Sequence, residues 1–135
     1  MKIPEILSYD KSRTLSELED IFESISIYCL CADNSDDMQP YLENCSSLQY
    51  VVCKTSDYFT IDNLISKKSL NLRIIHVGDY DIISNRLLMR IQEPYDVDNI
   101  LCTLLNDKKR DKFILSALDI GFMSTGSPTK EDYND

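Results

Sequence analysis

The stretch that decides the fold is residues 87–106, LLMRIQEPYDVDNILCTLLN. Its first part, up to Gln92, has the apolar content and length of a strand, and the Glu93-Pro94 step interrupts that strand. Asp96 can then cap a helix. The apolar residues of that helix follow at helical spacing: Val97, Ile100, Leu101, Leu104 and Leu105. A strand, a proline break and an amphipathic helix in this order are typical of the end of an α/β domain.

The residues before this stretch alternate between strand-like and helical patterns. Strands are predicted at 25–31, 48–54, 70–77 and 87–92. Helices are predicted from Thr14, from Asn34 or Ser35 to Asn44, from Thr60 to Lys67, and from Lys112 to Asp119. Residues 81–86 fit a loop, a helical turn or part of a strand. The pattern predicts an α/β fold, a small layered sheet of four to five strands with helices on both faces.

The length of 135 residues suits one domain. We predict a single α/β domain over residues 1–122. Within it, 1–24 form an N-terminal helical segment, 25–106 the sheet core, and 111–121 a C-terminal helix. Residues 123–135 are small and polar, and are predicted to form a flexible polar tail.

The charge balance limits the classes of partner. The 23 acidic and 14 basic residues give a net charge of −9, which repels phosphate backbones and anionic lipid headgroups. We therefore expect neither a nucleic acid nor a membrane as a direct partner. The five cysteines fit reduced thiols better than a disulfide framework, and no apolar run fits a signal segment. An intracellular location, in the cytoplasm or the nucleus, is expected.

Residues 89–101, MRIQEPYDVDNIL, resemble the end of a response-regulator receiver domain. In that family a strand ends in Lys-Pro, and an aromatic and an acidic residue precede the final helix. The resemblance extends loosely over residues 25–106. It places residues 31–34 where the family has an acidic pair after its first strand, and Asp79 nearest the phosphoacceptor that follows the third. It implies a shortened, flavodoxin-like parallel sheet.

Several residues that the family's phosphoryl transfer requires are absent from this sequence. Phosphoryl transfer in the family needs two acids for magnesium, an aspartate nucleophile, a hydroxyl and a lysine. The predicted acidic pair is Ala32-Asp33, the lysine position is Glu93, and the strand that carries the hydroxyl is missing from the predicted order. The resemblance thus implies a degenerate receiver that is not an enzyme, with no catalytic residue, cofactor or metal.

Such a module would regulate or scaffold through protein–protein contacts, as a homo- or hetero-oligomer or with another partner. The predicted partner-binding residues are Tyr95, Glu93, Tyr80 and Asp79. They lie around the last strand and the loop before it.

Two alternatives remain. A thioredoxin-like fold has the same element order, with the last two strands as an antiparallel hairpin, and would use Cys29 and Cys31 for redox chemistry. Its usual Cys-x-x-Cys position is Asp33-Asn34-Ser35-Asp36 here. The other alternative is an obligate subunit of a larger intracellular complex. A parallel last strand favours the receiver-like fold, and an antiparallel one the thioredoxin-like fold.

Overall fold

A strand that the sequence pattern did not predict, Pro4–Tyr9, lies in the middle of the sheet. It pairs with a strand on each side, and its last four residues are buried. The computed structural model describes residues 3–12, 14–68 and 70–120. The predicted N-terminal helical segment, 1–24, therefore holds a central strand before its helix. The strand escaped prediction because Pro4, Glu5 and Ser8 interrupt its apolar residues.

The elements follow in strict alternation until the last two strands. They are β1 (Pro4–Tyr9), α1 (Ser16–Glu23), β2 (Tyr28–Ala32), α2 (Ser35–Asn44), β3 (Tyr50–Lys54), α3 (Tyr58–Lys67), β4 (Arg73–Val77), β5 (Leu87–Ile91) and α4 (Val97–Ile120). A short 3-10 turn, Thr55–Asp57, joins β3 to α3.

The five strands form one sheet in the order β2-β1-β3-β4-β5. All four pairings are parallel, including the last one between β4 and β5. The thioredoxin-like alternative is wrong, because it needs an antiparallel final hairpin. The predicted α/β sheet of receiver-like, flavodoxin-like type is confirmed.

The main core lies on one face of the sheet. Leu7, Val51 and Ile74, from three neighbouring strands, are fully buried there. Met38 of α2 and Ile61 of α3 join the same buried cluster. Side chains alternate along a strand, so Ile6, Val52 and Ile75, also buried, lie on the opposite face.

The connection from β4 to β5, residues 78–86, contains no helix. The structure therefore lacks one crossover helix and no strand, whereas the sequence pattern predicted the loss of a whole strand–helix unit. Ile82 anchors the connection in the core, where it is 7% exposed. Arg90 fixes its beginning, because its Nε donates to Asp81 Oδ1 at 2.7 Å and its Nη1 to the Gly78 carbonyl at 3.1 Å.

The end of the same connection is held by Arg86. Its Nε donates to Asp62 Oδ1 at 2.9 Å, its Nη2 to Ser66 Oγ at 3.1 Å, and its Nη1 to the Leu70 carbonyl at 3.1 Å. Hydrogen bonds from two arginines thus hold this short connection in place, where a packed helix would otherwise do so.

The final helix is longer than the pattern predicted. The predicted helices that begin at Val97 and Lys112 are one helix, α4. Ile100 and Leu104 are buried, while Leu105 is exposed. The described residues divide into two compact units, one up to Val97 and one from Asp98. The predicted polar tail, 123–135, lies outside the described residues. Within the described ranges, every helix falls short of the length and apolar content that a membrane crossing requires.

The start of α1 depends on Asp10, the residue after β1. The helix that was predicted from Thr14 begins at Ser16, with Leu15 as its N-cap, and no side chain of the helix caps it. Instead Asp10 Oδ2 accepts a hydrogen bond from the Leu15 N–H at 2.6 Å. Asp10 is only 4% exposed, so this carboxylate joins the end of the central strand to the next helix.

We expect Asp10→Ala to lower the free energy of unfolding by about 1–2 kcal/mol, the usual cost of losing a side-chain cap. Chemical denaturation of both proteins measures the difference. Thr14→Ala is the matched control, since it removes only the longer 3.3 Å hydrogen bond to Asp10 Oδ1. Equal stability of the Asp10→Ala protein and the unmodified chain would contradict the capping role.

Candidate functional site at the carboxyl edge of the sheet

The carboxyl ends of five parallel strands meet at one edge of this sheet. Ligands and functional groups of open α/β sheets lie at that edge, in the loops that follow the strands. Here the first residues past the strands, or the last within them, include Asp10 after β1, Lys54 at the end of β3, Gly78 after β4 and Glu93 after β5. We take these loops as the candidate functional site.

Lys54 places a positive charge in the middle of this edge. It is the last residue of β3, which lies between β1 and β4. Its Nζ donates a hydrogen bond to Ser12 Oγ, in the loop after β1, at 2.9 Å. The side chain is half-buried. The centre of the edge therefore carries an ammonium group directed toward the first loop.

The β1 strand changes which residues stand at the positions that the receiver resemblance implies. The residues after the true first strand are Asp10 and Lys11, and the third strand ends at Lys54. Asp79 follows the fourth strand, so its predicted place nearest the phosphoacceptor is wrong. The strand that seemed absent is present as β4, and it ends in Val77, which has no hydroxyl.

These residues do not fit a bound divalent cation. Magnesium prefers carboxylate and other oxygen ligands. The Asp10 carboxylate already accepts hydrogen bonds from Leu15 N and Thr14 Oγ1. Lys11 stands where the receiver resemblance implies the second acid, and Lys54 stands where it implies the aspartate nucleophile. Both are positively charged and would repel a cation.

A buried hydrogen bond joins the ends of β3 and β4 directly beneath the edge. Thr55 Oγ1 lies 2.7 Å from His76 Nδ1, and both residues are buried. Gly78 packs against the same threonine, because a Cβ at Gly78 would lie 2.1 Å from Thr55 Oγ1. The His76 ring stacks edge-on against Tyr58 with the centroids 5.5 Å apart. This cluster couples the β3 loop, α3 and the start of the crossover.

Burial lowers the pKa of His76, and the nearby Arg90 guanidinium lowers it further, while Asp81 acts in the opposite direction. The neutral ring is therefore the native form. A protonated ring would place a positive charge in the core beside Arg90.

Tyr95, the aromatic residue after Glu93-Pro94, lies in acidic surroundings. Burial raises the pKa of Tyr95, as do the charges of Glu93, Glu17 and Asp10 and a hydrogen bond to the Glu93 side chain. The Tyr95 hydroxyl therefore stays protonated.

The structure brings together only some of the predicted partner-binding residues. Glu93 lies close to Tyr95 and raises the pKa of its hydroxyl. Tyr80 is 61% exposed and Asp79 is also exposed, both in the crossover after β4. Among the described residues, neither of these two shares a hydrogen bond or ion pair with Tyr95 or Glu93.

The two strand cysteines have the wrong environment for redox chemistry. Cys29 and Cys31 are both half-buried on β2. Burial raises the pKa of Cys29, and Glu19 and Glu23 raise it further. The Cys31 thiol donates to Glu19 Oε1 at 3.3 Å. A thiolate is the reactive form of cysteine, and this site disfavours it.

Two of the residues that sequence reasoning missed, Asp10 and Lys54, depend on β1. Without that strand, Asp10 had no place at the edge of the sheet and Lys54 ended the second strand instead of the third. A carboxylate directly after the apolar run ILSY was the available signal, because such residues often cap the following helix. The Thr55–His76 bond had no local signal, since it joins residues that only the sheet brings together.

Solved structures of receiver domains share this fold. The signal receiver domain of a putative Luxo repressor protein from Vibrio parahaemolyticus has a TM-score of 0.65 and 17% sequence identity, over 87% of this chain and 98% of that one. A response regulator receiver domain protein from Clostridium thermocellum has a TM-score of 0.60 and 17% identity, over 82% and 98%. NtrX from Brucella abortus, in complex with ADP, has a TM-score of 0.67 and 14% identity.

The chain therefore has the fold of response-regulator receiver domains, with a five-stranded parallel sheet. It covers 28% of the NtrX chain, with 86% of its own residues aligned. The sequence matches no protein-family model and no curated protein. At these identities the likeness concerns the fold.

The lowered pKa of His76 predicts a loss of stability in mild acid. The unfolded chain takes up the proton near the ordinary histidine pKa of about 6.5, before the folded chain does. The contribution of the neutral ring to the free energy of unfolding is therefore complete above that pH. It is lost as the pH falls toward the pKa of His76 in the folded chain. We expect the free energy of unfolding to fall between about pH 7 and pH 5, and His76→Gln to flatten this slope.

Urea denaturation at several pH values measures both slopes. The slopes are compared rather than the absolute stabilities, because the substitution itself disturbs the buried cluster. Parallel pH profiles for the two proteins would show that His76 does not titrate between the folded and unfolded states in this range.

Proposed function

We propose that this chain is a regulatory module with the receiver fold that binds another protein and does not accept a phosphoryl group. The observation that carries this proposal is Lys54. The third strand ends in a lysine, where the receiver resemblance implies an aspartate nucleophile. A protonated amine has no lone pair with which to attack phosphorus. Its hydrogen bond to Ser12 gives it a structural role instead.

The charge on the other side of the edge supports the same proposal. Glu93 stands where the resemblance implies the lysine that neutralises the transferred phosphoryl group. A carboxylate there repels phosphoryl oxygens. The two charges are thus opposite in sign to those that the chemistry needs at both positions. One such change of charge would weaken phosphoryl transfer, whereas a change of sign at both positions removes the electrostatic stabilisation that the reaction needs.

The non-enzymatic character of the module is part of the proposal. The edge holds a carboxylate that caps α1, an ammonium group and a tyrosine that burial and acidic neighbours keep protonated. The Cys29 thiol has a raised pKa, which disfavours the redox alternative. The five cysteines are free, which fits a reducing, intracellular compartment.

The binding surface that we propose includes Tyr95, Glu93, Tyr80 and Asp79. A half-buried tyrosine beside carboxylates offers an apolar ring together with a polar rim, and aromatic residues of this kind are enriched in interfaces. Tyr80 adds an exposed ring in the neighbouring loop. The net charge of −9 favours a partner with a positive surface.

Intact-mass measurement tests the loss of phosphoryl transfer. The full chain is incubated with acetyl phosphate and magnesium, beside an unrelated receiver domain that has the aspartate as a positive control. We expect no mass increase for this chain, because Lys54 stands at the nucleophile position. An acid-labile gain of one phosphoryl group would contradict the proposal.

Substitution of Tyr95 tests the binding surface. We expect Tyr95→Ala to lose most of the capture of protein partners from an extract of the source cells, by quantitative mass spectrometry, because a central aromatic often carries a large share of binding energy. Ile3→Ala, which shortens an exposed apolar side chain elsewhere, is the matched control. Circular dichroism checks that both variants fold. Unchanged capture by Tyr95→Ala would remove this residue from the surface.

A further inference from the structure

The crossover between β4 and β5 leaves the outer part of the sheet incompletely covered. Parallel strands are normally joined by a segment whose helix packs on the sheet, and parallel sheets are normally covered on both faces. Here residues 78–86 contain no helix, and Ile82 is the one residue of this segment that is buried as part of the core. Leu87, the residue of β5 that packs on the same core face, stays half-buried. The crossover therefore covers less of the sheet than a helix would.

Three large apolar side chains lie exposed around this crossover. Phe59 is 68% exposed, Tyr80 is 61% exposed and Ile83 is fully exposed. We call these three residues the crossover patch. Exposed apolar residues that occur singly are common, but a group of them marks an interaction surface.

Helical spacing places Phe59 beside the crossover. Asp62 and Ser66 of α3 both bind Arg86, so their side of the helix faces the crossover. Phe59 precedes Asp62 by three residues and therefore lies on the same side, one turn nearer the start of α3. Because α3 begins at the carboxyl edge of the sheet, where the crossover also begins, Phe59 is level with Tyr80.

The charges beside the crossover patch are mostly negative. Asp57, Asp79 and Asp81 lie at the start of α3 and of the crossover. Asp81 is neutralised by Arg90. In the part of the chain that the structure describes, Asp57 and Asp79 have no ion-pair partner. The hydrogen-bond donors of Arg86 are already engaged with Asp62, Ser66 and backbone carbonyls.

We propose that the crossover patch binds an amphipathic helix of a partner protein, with basic residues beside its apolar face. The apolar side chains would pack on Phe59, Tyr80 and Ile83, and the basic ones would approach Asp57 and Asp79. Binding of a helix in an apolar groove is a common mode of peptide recognition. The partner helix completes the cover that the short crossover leaves open. This inference rests on the proposed function, since it specifies the partner of that module.

A second copy of this chain fits the crossover patch less well. Two copies related by a twofold axis would bring the same aspartates, Asp57 and Asp79, toward each other. Each copy also carries a net charge of −9. Both effects repel a second copy, whereas both attract a basic helix.

Two model peptides of about 18 residues test the proposal, a length at which an isolated helix begins to be stable. Both have leucine along one face, and the other face is lysine in one peptide and glutamate in the other. Fluorescence anisotropy measures their affinity for the full chain. We expect the lysine peptide to bind, and Phe59→Ser or Ile83→Ser to weaken it roughly tenfold or more, as the loss of one buried apolar contact does.

Ile3→Ser is the matched control, because Ile3 is 59% exposed and lies before β1. It should leave the affinity unchanged. Equal binding by the Ile83→Ser protein, or equal binding of the glutamate peptide, would overturn the proposal. So would a dimer in sedimentation that Ile83→Ser dissociates, since a second copy would then occupy the crossover patch.

The outcomes separate this proposal from the proposed function. No binding of the lysine peptide, together with lost capture by Tyr95→Ala, overturns the crossover patch and leaves the regulatory module intact. Phosphoryl uptake overturns the non-phosphorylated module, whatever the peptides do.

Discussion

The parallel pairing of β1 with β2 on one side and β3 on the other is the constraint on which the rest of the structure depends. It brings the carboxyl ends of β2, β1 and β3 to one edge, which the parallel pairings of β4 and β5 then extend. Asp10 can cap α1 only because β1 ends beside that helix. Lys54 can reach Ser12 only because β3 lies next to β1. The same contacts that stabilise the edge also occupy its charged groups.

The crossover shows how a fold can lose an element and stay ordered. A helix covers a sheet mainly by burying apolar area, whereas this crossover buries Ile82 and relies on Arg86 and Arg90 for the rest. Hydrogen bonds to charged groups are directional and hold a short segment in place. They leave apolar side chains such as Ile83 in solvent. Local order and exposed apolar side chains therefore have the same structural cause.

The sequence predicted the elements with strong local signals and missed those set by distant residues. The helix from Val97 and the strand from Leu87 were predicted because their periodicity is local. Central parallel strands are usually continuous apolar runs. The central strand β1 was missed because Glu5 and Ser8 interrupt its run. That single omission moved the strand count by one, and it assigned Asp79 to the position that Lys54 holds. The positions of Glu93 and Tyr95 just after β5 needed no strand count, because the two residues flank Pro94.

Magnesium titration followed by backbone amide NMR tests the central claim most directly, namely that the charges of this edge exclude the cation on which receiver phosphorylation depends. The amides of Asp10, Lys11, Lys54 and Gly78 report on that position. With Lys11 and Lys54 positively charged and the Asp10 carboxylate engaged in capping, no saturable shift of these amides is predicted as magnesium is added. A saturable shift confined to these four amides would show a bound cation and would contradict the claim.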